Sequence, residues 1–216
     1  MTIVLIAGIL SAFAVFIGRL PNQRYAQLFY RLGSNCESCP LAEQMALAGK
    51  ATYHDPSFSA GYTRLGFLYK LDNRVEEAAS FHRQAIVYDP QNRSSLLELG
   101  IHNFQQEDLV HALEDLQRAE AIGGYGDTIN YYLGRIHERN RDYARASWYY
   151  TRAYQFNPEN LNALARLSTM DYKSGDKRGC LKVIEDIRQR GKPGLAAELE
   201  AFVRANGKAE FMASEK

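Results

Sequence analysis

Net charge is almost missing: 26 basic residues stand against 25 acidic ones over 216 residues, a formal balance of +1. No global field therefore steers the chain toward nucleic acid. Cysteine is scarce, at three, which excludes a fold built on disulfides. Proline is also scarce, at six, and the composition is 46% hydrophobic and 12% aromatic, which excludes a disordered chain. HExxH, a glycine-rich phosphate loop and a nucleophile elbow are absent. His54, His82, His102, His111 and His137 have no metal-ligand spacing, and His82 reads as a core histidine. Neither enzymatic chemistry nor a cofactor is expected, and no stretch reads as a strand.

Charge is missing altogether between Ile3 and Gly18. That run spans roughly 24 Å as a helix, and Met1, Thr2 and Leu20 extend it toward the ~30 Å of a hydrocarbon core. It is apolar on every side, so residues 1–20 are expected to form a transmembrane helix or signal anchor. No Lys or Arg precedes the run, as a cleaved signal peptide would require. Arg19, Arg24 and Arg31 follow it before the first acid, Glu37. The positive-inside rule then places the remainder in the cytoplasm, with a periplasmic location as the alternative. Ala7, Ser11, Ala14 and Gly18 share one face, a pattern that lets two membrane helices approach closely.

A 34-residue ladder occupies most of the remaining chain. Gly66, Gly100 and Gly134 are one step apart, as are Ala78, Ala112 and Ala146, and again Ala85, Ala119 and Ala153. Thirty-four residues is the length of one helix–turn–helix unit. Units are expected at 59–92, 93–126 and 127–160, with a degenerate fourth at 161–190. Their first helices fall near 59–71, 93–105, 127–139 and 161–173, and their second helices near 75–88, 109–122, 143–156 and 177–190. Asp108, Asp142 and Asp176 sit one step apart where N-caps belong. A capping helix is expected over 195–206 and a loose tail over 207–216.

Residues 21–58 read as a connector. They hold a short amphipathic helix suited to a membrane surface, then Cys36-Glu37-Ser38-Cys39-Pro40, then a degenerate half-repeat with Ala51 in register with Ala85. Two thiols at this spacing can form a local disulfide, ligate a metal with a partner's help, or act as a redox couple. Four zinc ligands are not present, so Cys36 and Cys39 are weak metal candidates. The segment also lacks the βαβ setting of a redox motif.

The third unit, with Leu133-Gly134, Tyr143, Ala146, Tyr150, Ala153 and Asn157-Pro158, resembles the tetratricopeptide repeat family. The first unit matches equally well, whereas the fourth has Ser168 for Gly and Cys180 and Ile187 for the two alanines. The resemblance implies an all-α solenoid, with first helices lining a concave protein-binding face. Its register presents Thr63, Phe67, Lys70, Leu97, Ile101 and Phe104, an apolar half, then Tyr131, Arg135, Glu138 and Arg139, a charged half. The carboxylate clamp of some family members is absent, because Thr63, Phe67, Ile101 and Thr128 occupy its slots. Trp148 falls where Ser80, Glu114 and Lys182 fall in other units, on the outward side, as a second contact. With the N-terminal helix this implies a bacterial inner-membrane adaptor that helps to assemble a membrane complex. The alternative is an extracytoplasmic thiol- or metal-handling maturation factor using Cys36 and Cys39.

Overall fold

A computed structural model describes residues 22–36, 38–123, 126–174 and 176–214, and these form helices and connections without a strand. The expected transmembrane segment 1–20, with Ala7, Ser11, Ala14 and Gly18, lies outside the described residues. Among the described residues no helix is long and apolar enough to cross a membrane.

Among the described residues eleven helices follow one another: α1 (Asn22–Asn35), α2 (Leu41–His54), α3 (Ser59–Leu71), α4 (Val75–Tyr88), α5 (Arg93–Gln105), α6 (Leu109–Ala121), α7 (Asp127–Arg139), α8 (Tyr143–Phe156), α9 (Leu161–Ser174), α10 (Lys177–Gln189) and α11 (Pro193–Ser214). They divide into two compact units, one up to Leu99 and one from Gly100, with α5 running across the boundary.

Local chemistry sets the helix ends. Asn73, Glu107 and Arg141, one repeat step apart, all adopt φ of 61–63° just after a first helix. The following amide then reaches back five residues: Arg74 donates to Tyr69 O, Asp108 to Asn103 O and Asp142 to His137 O, each at 2.9 Å. This left-handed stop satisfies carbonyls that the helix leaves unpaired. Asp108, Asp142 and Asp176 then cap the next helix by accepting from the amides of His111, Arg145 and Gly179. Between units, Asp55, Asp89 and Asn157 leave the helix in extended backbone and accept from the amide two residues on. A Pro follows each of them. Where that Pro is missing, Gly123 takes φ +125° instead.

Within the first unit, α1 packs on α2, α2 on α3 and α3 on α4. The connector is thus a complete helix hairpin rather than a surface helix plus a half-repeat. Tyr25 and Ala26 of α1 are buried, and the rings of Tyr25 and Phe29 stack on His54 at 5.1 and 5.4 Å. Leu28 and Leu32 of α1, by contrast, remain about half exposed. Between the two helices Cys36 and Cys39 form a disulfide.

Within the second unit the helices from α6 to α11 pack each on the next. Ala112, Ala119, Ala146 and Ala153 are fully buried at the facing positions, as are Cys180 and Ile187 in the degenerate pair. In the last helix Ala196 and Leu199 are buried in one cluster with Tyr172, Ile184 and Ile187. This helix is longer than 195–206 and continues to Ser214. Each buried Leu or Ile of this kind contributes roughly 1.5–3 kcal/mol.

Candidate functional site

The expected binding face divides into positions the fold consumes and positions it leaves open. In the first unit Thr63 is consumed. Its hydroxyl meets Ser95 Oγ at 3.0 Å, accepts from Asn92 Nδ2 at 2.8 Å and donates to Ser59 O. Ser95 also contacts His82 Nδ1 at 3.1 Å, so one buried polar chain joins α3, α4 and α5. Burial lowers the His82 pKa to about 4, with Lys70 adding to the shift. Phe67 stands edge-on to His82 at 5.2 Å, and Lys70 pairs with Glu98. Leu97 is half-buried.

In the second unit the expected open apolar surface is closed. Ile101 is 9% exposed and Phe104 8%. The guanidinium groups of Arg135 and Arg139 lie 5.0 and 5.8 Å from the Phe104 ring centre, and Tyr132 meets its edge. An exposed aromatic face next to arginines attracts them, which removes it from solvent. Ile101 and Phe104 are therefore buried, and the more open positions are the charged ones of α7.

Those charged positions converge on an open basin of about 370 Å³. Its walls are Arg135, Glu138 and Arg139 of α7, Arg141 of the following turn, Tyr143 of α8, and Arg166 and Lys173 of α9. Glu138 is its one acid. Tyr150 donates to Glu138 Oε2 at 2.6 Å, and Arg166 Nη1 lies 3.6 Å from Oε1, so this carboxylate is already engaged from inside the fold. Arg135 donates to Tyr131 Oη at 3.1 Å and Arg139 to Glu107 at 3.2 Å, while Lys173 lies 5.0 Å from the Tyr143 ring centre. Burial and the Glu138 contact hold the Tyr150 phenol far from ionisation.

A second pocket of about 200 Å³ shares Arg166 with the basin and is bounded by Tyr131, Thr169, Leu195 and Phe202 among others. Of the residues expected to bind, Tyr131, Arg135 and Arg139 are brought together here. Arg141, Arg166 and Lys173 are added by the structure. Their signal in the sequence is a break in the ladder: Arg135, Arg139 and Arg141 occupy the slots of Ile101, Gln105 and Glu107.

Trp148 stands apart on α8 and is 54% exposed, with the Arg152 guanidinium 4.3 Å from its ring centre and Tyr149 edge-on. The Cys36–Cys39 disulfide occupies both sulfurs, so in this state neither offers a thiolate to a metal.

Small residues facing large ones at one period, in consecutive helix hairpins, define an all-α helix-pair repeat protein. The arrangement is the tetratricopeptide-repeat fold, and solved structures agree. PilF of Pseudomonas aeruginosa superposes with a TM-score of 0.65 at 15% identity, over 89% of this chain and 99% of that one. YrrB, described as a TPR protein with an unusual peptide-binding site, gives 0.63 at 18% identity, over 84% and 91%. MamA of Desulfovibrio magneticus RS-1 gives 0.64 at 13% identity, over 76% and 94%. At these identities the likeness is one of fold. No protein-family model matches the sequence, and no curated protein matches it.

Proposed function

We propose that the chain is a non-catalytic adaptor: residues 1–20 anchor it in a bacterial inner membrane, and its repeats hold a protein subunit during assembly of a membrane complex. The observation that carries this reading is the open basin on α7 and α9. Its cations come from two helices and the turn between α7 and α8, those of Arg139, Arg141 and Lys173 are exposed, and the two acids that engage them, Glu138 and Glu107, leave positive charge in excess. Such fixed, exposed donors suit recognition of a partner better than stabilisation of the repeat itself. The peptide-binding site described for YrrB supports the same use of this fold. The test is capture of the tagged full-length chain from membranes in mild detergent, with reciprocal capture of whatever co-purifies. A stoichiometric membrane-complex subunit is expected. Recovery of the chain from the soluble fraction, or with no partner, overturns the reading.

The Cys36–Cys39 disulfide favours a second reading, in which the repeats lie outside the cytoplasm and the pair handles thiols. Disulfides persist in oxidising compartments, which opposes the placement drawn from Arg19, Arg24 and Arg31. In the thiol step two client thiols become a disulfide while Cys36 and Cys39 become thiols. Acid trapping of intact cells, followed by alkylation with and without reductant, separates the placements. Cys36 and Cys39 alkylated only after reduction support the outer face; alkylation without reductant supports the cytoplasm. A Cys36→Ser, Cys39→Ser variant with unchanged partner capture and client oxidation sinks the thiol role.

A further inference from the structure

We infer that the α7–α9 basin takes an acidic peptide segment of the partner, with an apolar side chain of that segment seated in the adjoining pocket. This rests on the adaptor reading and names the partner's chemistry. Three observations carry it.

The first is that three of the five cations, Arg135, Arg139 and Arg141, are absent from the same slots of the earlier repeats and are not demanded by the repeat. The slot of Arg135 holds Phe67 and Ile101 in the earlier repeats, that of Arg139 holds Leu71 and Gln105, and that of Arg141 holds Asn73 and Glu107. The turn at Arg141 requires only a left-handed residue, which Asn73 and Glu107 also supply at the same φ. A chain with a net charge of +1 thus lines one basin with five cations and one acid, while Glu107 pairs with Arg139 at its edge.

The second is orientation. Arg135 is pinned by Phe104 at 5.0 Å and by Tyr131 Oη at 3.1 Å, and Lys173 is steered by Tyr143. Groups held in place lose less entropy on binding a carboxylate, and a guanidinium can meet it with two parallel donors.

The third is the neighbouring pocket. At about 200 Å³ it lies below the roughly 300–1,000 Å³ typical of small-molecule sites. Leu195, Leu199 and Phe202 line it together with Glu198 and Arg166, whose charges offset each other, so it offers an apolar side chain a place beside the basin. Charge over the basin and an apolar residue beside Phe202 together describe a mixed peptide. A nucleic acid would supply phosphates for the basin but no apolar side chain for the pocket.

The experiment uses the full-length chain in mild detergent and fluorescence anisotropy. The probe is a short labelled peptide of Asp and Glu around a single Leu, compared with its Asn and Gln counterpart. The acidic peptide is expected to bind at least about tenfold more tightly, and added salt should weaken it. The Arg139→Gln, Arg141→Asn, Lys173→Gln variant changes exposed side chains and should lose about tenfold. Glu138→Gln keeps an acceptor for Tyr150, removes the one negative charge, and should tighten binding. Replacing Leu by Ser in the probe should weaken it, and Leu195→Ser should do the same from the protein side. Equal binding of both peptides, no effect of the triple variant, or tighter binding of a single-stranded oligonucleotide overturns the proposal. If the triple variant still captures the membrane partner at wild-type yield, the acidic class fails and the adaptor reading stands. If neither variant nor wild type captures a partner, the adaptor reading fails with it.

Discussion

The Gly66 backbone lies directly against the ring of His82: a Cβ built on Gly66 would stand 2.5 Å from Nε2 and 2.6 Å from Cε1. The same slot pair recurs one and two steps on, where a Cβ on Gly100 would meet Leu116 and one on Gly134 would meet the Tyr150 ring. The ladder therefore records a steric fit in which the glycine is constant and its partner is not.

Gly66→Ala puts two effects in competition. Alanine gains about 1 kcal/mol of helix propensity over glycine, and overpacking a filled core costs about 1–3 kcal/mol. His82 is 2% exposed and cannot swing clear, so a net loss is expected. Gly49→Ala in α2 is the control, because its Cβ meets nothing within 4 Å. It should stabilise by about 0.5–1 kcal/mol. Urea unfolding of the full chain reads both; stabilisation by Gly66→Ala would show that the contact yields.

His82 also sets an acid limit. Its pKa falls from an ordinary 6.5 to about 4 because burial disfavours the charged ring. A lowered folded value means that stability is fully present above about 6.5 and is lost as pH falls through 4. The difference amounts to about 3 kcal/mol below both values. His137 is shifted the same way by burial and adds to the trend. His82→Leu imitates the Leu116 slot and leaves Ser95 its Thr63 partner. Unfolding midpoints from pH 7 to 4 should fall less steeply in this variant; an identical slope would exonerate His82.

The limits of α3, α4, α5, α7 and α8 are legible in the sequence because small residues, Asp caps and Asp-Pro or Asn-Pro exits mark them independently. The hairpin α1–α2 is harder to read. Gly33, whose Cβ would press on Leu47 at 3.3 Å, falls one residue off the ladder, and Arg24 and Arg31 make α1 look interfacial. Register identifies which residues share a face but not which of them are covered. Ile101 is in phase with Phe67 and Phe104 with Lys70, yet Phe104 is closed by Arg135 and Arg139, side chains one repeat away in sequence. Arg166 and Lys173 join the basin only because α8 brings α9 beside α7.

The Cys36–Cys39 bridge closes a very short loop, so in the chain-entropy account it contributes about 2 kcal/mol at most. Replacing both cysteines by Ser should loosen the α1–α2 hairpin without unfolding the repeats beyond it. Hydrogen exchange should rise in residues 22–54 and stay unchanged from Asp127 onward. Exchange rising equally along the whole chain would mean that the bridge supports the entire stack.

Tyr150 joins the core to the basin. Its ring is fully buried against Gly134, and its hydroxyl donates to Glu138 at 2.6 Å. Tyr150→Phe keeps the ring that fills the Gly134 slot and removes only the donor. Glu138 then retains Arg166 at 3.6 Å, a weaker hold on a carboxylate that is mostly shielded from water. Hydrogen bonds to charged groups contribute about 1.5–3 kcal/mol, so a loss in that range is expected. Tyr150→Ala also empties the slot and should cost about 3–5 kcal/mol. If the two variants are equally destabilised in urea, the hydroxyl carries the site; if Tyr150→Phe is neutral, the Glu138 contact adds nothing to stability and the ring alone matters.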